Sequence, residues 1–117
     1  MNKNTILAIN FEYTLMEFYK KLSLSENDVM VLFMVKHLLE QNNALITADL
    51  LAIKMNLPVN EIDQILVSVM RTKYLAYTKT SKGLVTSLEP LEEKLSEMYQ
   101  MEIANNASKR FNEESLK

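Results

Sequence analysis

Few side chains in this sequence could do chemistry. The single histidine, His37, has no second ligand type beside it, and without cysteine the chain offers no thiol nucleophile, disulfide or thiolate metal site. Glu89, Glu92, Glu93 and Glu97 form an acidic run at the start of a helix that should open at Pro90. They suit the positive end of that helix and a solvated face better than a metal centre. One glycine cannot build a phosphate-cradling loop, which needs several. The spacing therefore predicts no catalytic group, no metal site and no cofactor.

Residues that could meet nucleic acid are better represented. Arg71, Lys73, Lys79 and Lys82 lie in a stretch from 71 to 88 that contains no acid, and Lys or Arg there could meet phosphates. Just before it, Asn60, Gln64, Ser68 and Arg71 share one face of a helical pattern, where Asn and Gln could pair with adenine edges. Glu61 and Asp63 lie beside them, and carboxylates are repelled by a duplex carrying one charge per about 1.7 Å. Arginine is scarce, two against eleven lysines, which weakens the case for bidentate base readout. Sequence-independent phosphate contact is a better expectation than base readout, and a merely solvated hairpin surface is a better one still.

These residues need elements to hold them, and the composition favours helices. Only three of 117 positions are Gly or Pro, which disfavours a turn-rich β fold and suits one domain of helices joined by short loops. The apolar and charged fractions, 48% and 24%, are those of an ordinary globular chain. No run approaches the roughly 18 apolar residues of a membrane segment, and the first ten residues lack a cleavable leader. A cytoplasmic location is expected.

Phe11, Leu15, Phe18, Tyr19 and Leu22 stripe a helix over 11–22, after an N-terminal arm (1–10) whose run from Thr5 to Ile9 reads as a strand or an arm on a neighbour. Ser25 with Asp28 is a capping box opening a long helix at Glu26. Val29 to Val35 is apolar without a break, which predicts burial on every side, and Asn42-Asn43 ends the helix. Thr47 caps a short helix, Asn56 stands where a left-handed residue would close it, and Pro58 starts another striped by Ile62, Ile65, Leu66, Val69 and Met70. Residues 47–73 thus form a helix-turn-helix. Two β-prone runs follow, 75–79 and 84–88, around a turn containing Gly83, and make a β-hairpin wing at 75–88. Leu91, Leu95, Met98 and Tyr99 stripe a last helix at 90–102. From 103 to 117 the periodicity is lost, so that stretch should fray or act as a tail or linker. The seven methionines after Met1 should fill gaps in the core.

The order describes a mostly α protein with a small β-hairpin: a winged helix-turn-helix with extra N- and C-terminal helices, over 1–102. The block LMEFYKKLSLSENDVMVLFMVKHLLEQN, then ITADLLAIKMNLPVNEIDQILVSVMRTKYLAYT, then SLEPLEEKLSEMY resembles the N-terminal domain of DnaD-type primosomal proteins. The resemblance spans about residues 10–100. Tyr74 departs from the winged-helix habit of a Gly between the second helix and the wing.

The resemblance implies a non-enzymatic scaffold in bacterial replication initiation or restart. It would self-associate as a dimer or higher homo-oligomer and support helicase loading through contacts with a replication initiator or helicase-loading proteins. DNA would be touched weakly, or through a second domain expected beyond Lys117. Extra amphipathic helices often bury a face against another subunit, so Phe11, Leu15, Phe18, Tyr19, Leu91, Leu95, Met98 and Tyr99 are the oligomer or partner interface candidates. The alternative is a dimeric winged-helix transcriptional regulator reading duplex DNA through Asn60, Gln64 and Ser68.

Overall fold

A computed structural model describes residues 10–115 of the chain, with side chains through residue 107. The expected strand or arm over Thr5–Ile9 lies outside the described residues. Helix α1 (Phe11–Phe18) starts at Asn10, whose side chain accepts the Tyr13 amide at 2.8 Å. It stops four residues short of the expected 22. One further turn, closed by the Leu22 amide on the Phe18 carbonyl at 3.1 Å, still keeps Leu22 buried. Ser23, at φ 60, then reverses the chain into α2.

Helix α2 (Glu26–Glu40) opens on the full capping box: the Asp28 amide donates to Ser25 Oγ at 3.1 Å, and the Ser25 amide to Asp28 Oδ2 at 2.8 Å. It ends at Asn42, φ 68. Val29, Val31, Leu32, Val35 and Leu38 are buried, but Met30 is 48% exposed and Phe33 and Met34 are half-buried. Burial on every side is therefore corrected. Helices α1, α3 and α4 pack against α2 and leave the Met30 side open.

Helix α3 (Ala48–Lys54) is capped by Thr47, which accepts the Leu50 amide at 3.2 Å. Asn56 does not take the expected left-handed conformation. The chain leaves α3 extended at Met55 (φ −122, ψ 155), bends through Asn56 and Leu57 without a positive φ, and is extended again at Pro58 (φ −63, ψ 149). Helix α4 (Val59–Arg71) buries Ile62, Ile65, Leu66 and Val69, while Met70, the last residue of the expected stripe, is 39% exposed.

Strands β1 (Ala76–Thr80) and β2 (Gly83–Ser87) pair antiparallel, Ala76 opposite Ser87 and Thr80 opposite Gly83. Gly83 adopts φ +118 in open space, so the turn needs glycine for its backbone angle rather than for room. A strap absent from the sequence reading lies beside β2. The Thr86 amide donates to the Ala44 carbonyl at 2.8 Å, and the Ile46 amide to Thr86 Oγ1 at 2.8 Å. Tyr77 Oη then donates to the Ile46 carbonyl at 3.0 Å.

Helix α5 (Glu89–Ser115) packs on α1 and continues well past the expected end at 102. No Gly or Pro follows Pro90, so the fading apolar periodicity removes a packed face without breaking the helix. Its 27 residues span about 40 Å. Leu91, Leu95 and Ser96 are buried, whereas Met101 and Ile103 are 65% and 48% exposed. The methionines divide: Met34, Met55 and Met98 pack half-buried against the core as expected, while Met16, Met30, Met70 and Met101 are exposed.

Candidate nucleic-acid and partner interface

Helix α4 presents two neighbouring surfaces. Asn60, Gln64 and Ser68 recur every four residues and are exposed, as is Arg71 one turn on. Beside them, Asp63, Val67 and Met70 turn toward the hairpin and, with Leu45, Leu66, Tyr77 and Leu84, line an open groove of about 350 Å³. Val67, Leu84 and Leu45 are 45%, 54% and 42% exposed, so the groove is apolar and uncovered. Its carboxylate is felt nearby: burial first, and the Asp63 charge second, push the Tyr77 hydroxyl above the ordinary tyrosine pKa.

The hairpin register decides what stands at the groove mouth. Tyr77 pairs with Thr86 and Lys79 with Leu84, and paired residues share one face of a sheet. Thr86 is buried beneath the strap, so Leu84 and Lys79 occupy the outer part of the same face. At the tip, Thr80 Oγ1 donates to the Gly83 carbonyl at 2.9 Å and accepts the Lys82 amide at 3.2 Å. This closed turn holds Lys82 in solvent.

The end of α4 carries a conformational cost. Lys73 sits at φ 66, its amide donates to the Met70 carbonyl at 3.0 Å, and the Tyr74 amide donates to that of Val69 at 2.9 Å. This is a Schellman close, in which the residue after the cap is usually glycine. The left-handed position is therefore Lys73, one residue before the Tyr74 at which sequence reasoning placed the missing Gly. A side chain there costs on the order of 1 kcal/mol. Tyr74 instead reaches back, its hydroxyl 3.5 Å from the Leu22 carbonyl.

All seven DNA-contact candidates, Asn60, Gln64, Ser68, Arg71, Lys73, Lys79 and Lys82, are exposed. The interface candidates fare differently. Phe11, Leu15, Phe18, Leu91 and Leu95 are between 0% and 3% exposed, because α1 and α5 bury their stripes on each other and on the domain. As an exposed contact surface those five are corrected to core. Tyr19, Met98 and Tyr99 are half-buried against that core. The Tyr19 hydroxyl donates to Glu26 Oε2 at 2.8 Å; this bond raises the Tyr19 pKa and lowers that of Glu26.

Among the described residues, the large apolar side chains left in solvent are Tyr13 and Met16 on α1 and Met101 and Ile103 on α5, besides the groove and Met30, Ile53 and Val59. Exposure could not be read from the helical stripe, because these residues lie just off it. His37 is exposed in the last turn of α2. Among the described residues no three His, Cys, Asp or Glu side chains converge as metal ligands, and no helix is long and apolar enough to cross a membrane.

Comparison with known proteins gives two findings. The family model described as DnaD N-terminal domain matches residues 11–106. The crystal structure of the N-terminal domain of DnaD protein from Geobacillus kaustophilus HTA426 is similar in fold, with TM-score 0.67 and 22% identity over 92% of this chain and 99% of that one. A search of curated proteins returns no match.

Proposed function

Because the chain belongs to the family of DnaD N-terminal domains, we propose that it is a self-associating, non-enzymatic scaffold of bacterial replication initiation or restart, working in the cytoplasm and supporting helicase loading. It contacts a replication initiator or helicase-loading protein through apolar surface and meets DNA only weakly, through the phosphates. The observation that carries this reading is the apolar, Asp63-bearing groove beside α4. In a base-reading winged helix this flank would approach a polyanion, and neither exposed Val, Met and Leu side chains nor a carboxylate gain from that. They do gain from covering by a protein partner.

With the α1 and α5 stripes spent on the core, self-association falls to Tyr13, Met16, Met101 and Ile103. Light scattering on the purified chain tests this directly: a dimer or larger species at tens of micromolar is expected, and a strict monomer overturns it. The regulator reading has its own support in the exposed Asn60, Gln64 and Ser68 row. High-affinity selection of one duplex from a random pool, lost in Gln64→Ala, would replace the scaffold reading with that one.

A further inference from the structure

Helix α5 outlasts the helix that covers it. Leu91 and Leu95 are fully buried and Met98 is half-buried, whereas every described side chain from Ile103 to Ala107 is exposed, although α5 runs on to Ser115. That end of the helix contains Asn105, Asn106 and Ser108, which are poor helix formers, and a helical stretch of its length is marginal in water without a packed face. Where α1 gives out, the seam between the two helices opens into a groove of about 370 Å³. Phe18 and, in the turn beyond, Lys21 line it from one side. Met98, Met101, Glu102, Asn105 and Asn106 line it from α5, at the i, i+3, i+4, i+7 and i+8 spacing of a single helical face.

The chemistry of this groove says what fills it. Phe18, Met98 and Met101 make part of its lining apolar, and methionine side chains adapt to an incoming surface. Its two charges are of opposite sign: Lys21 is exposed, with its ammonium 5.7 Å from the centre of the Phe18 ring, and Glu102 is half-buried on α5. A surface that carries one charge of each sign, on opposite sides, is complementary to itself under a two-fold rotation. We propose that the groove is filled by α5 of a second copy of this chain, laid antiparallel across residues 98–106, so that Glu102 of each copy meets Lys21 of the other and the ends of both α5 helices gain a packed face. A parallel arrangement would set Glu102 against Glu102. The inference rests on the self-association proposed above and gives it a surface, an orientation and two symmetry-related ion pairs.

Charge reversal on the full chain tests it, with mass measured by sedimentation equilibrium. Lys21→Glu and Glu102→Lys each turn both ion pairs of a dimer into like-charge contacts, so each variant alone is expected to weaken dimerisation about tenfold or more. An equimolar mixture of the two should recover near-native dimer, because every cross-contact is again between opposite charges, and the double variant Lys21→Glu/Glu102→Lys should recover it as well. Recovery in the mixture also shows that both single variants are folded. Failure of the mixture to recover would overturn the inference, and recovery in the double variant alone would place the pair within one chain. Unchanged dimers in both single variants, with dissociation in Tyr13→Ala/Met16→Ala, would also overturn it and leave self-association standing on another face. A native chain that is monomeric at tens of micromolar would overturn both and assign the groove to a different protein.

Discussion

The hydroxyl of Thr86 accepts the Ile46 amide at 2.8 Å in a buried site, across 40 residues of chain. This bond, with the Thr86 amide on the Ala44 carbonyl, straps residues 44–46 to the side of β2. It ties the hairpin to the start of the helix-turn-helix, so that Leu45 and Leu84 come to line the same groove. The Thr86 hydroxyl is one of three groups that hold this strap, with the Thr86 amide and the Tyr77 hydroxyl.

Thr86→Val keeps the shape and removes the acceptor, leaving the Ile46 amide buried without a partner. A loss of about 1–3 kcal/mol is expected, read from the urea midpoint, with Thr86→Ser retaining most of the native stability. Hydrogen exchange at the Ile46 amide should accelerate in the valine variant. Unchanged exchange would show that the strap is held by other contacts.

Replacing the buried stripe and replacing the exposed residues should have opposite effects. Leu15→Ala and Leu95→Ala remove fully buried side chains and are expected to cost about 2–5 kcal/mol. Tyr13→Ala and Met101→Ser, both exposed, should change stability by no more than about 0.5 kcal/mol yet reduce the mass measured by light scattering. If Leu15→Ala instead dissociated the oligomer at native stability, the assignment of α1 to the core would be wrong.

Lys79 and Lys82 bear on DNA through charge alone. A Lys79→Ala/Lys82→Ala variant is expected to reduce the salt slope of duplex binding by about 1.8, two phosphate contacts, and to weaken all sequences alike. Gln64→Ala should leave both slope and sequence preference unchanged. Titrating three unrelated duplexes at several salt concentrations would check both statements.

Tyr77 supplies a dependence on alkaline pH. Its folded pKa is raised, by burial first and by the Asp63 charge second. Its contribution to stability is therefore complete below the unfolded tyrosine value of about 10 and is lost as pH rises through the folded value. The bond from its hydroxyl to the Ile46 carbonyl disappears with the proton. The difference between native and Tyr77→Phe tyrosinate titrations should show a late-ionising group. Asp63→Asn should bring it only part of the way down, since burial is the larger cause. A group ionising at the ordinary tyrosine value would contradict the packing of Tyr77 against the strap.

Much of the fold was legible because its signals are local. Ser25 and Asp28, Thr47 and Leu50, and Pro58 ahead of α4 all act within a turn of helix, and Gly83 marks its own turn. The candidate site was legible only in part. The basic hairpin and the Asn60, Gln64 and Ser68 row lie on the surface as expected. The groove between them was missed, since Leu45, Val67, Met70 and Leu84 come from three segments with no shared pattern. The left-handed residue was misplaced by one position and Asn56 wrongly given that conformation, because backbone angle follows the direction the next element must take.

By itself the sequence determined the kind of protein: helices with their caps, one hairpin, a basic stretch before an acidic helix, and too little Gly, His or Cys for a catalytic site to be expected. Periodicity showed that Leu15 and Leu95 lie on apolar stripes, but a stripe has the same pattern whether a helix of its own chain or another molecule covers it. Only the tertiary structure decided that α1 and α5 cover each other, that Met30 and Met101 face solvent, and that Thr86 joins the strap to the wing. Those outcomes depend on contacts between residues far apart in the chain, whose partners no local spacing can name.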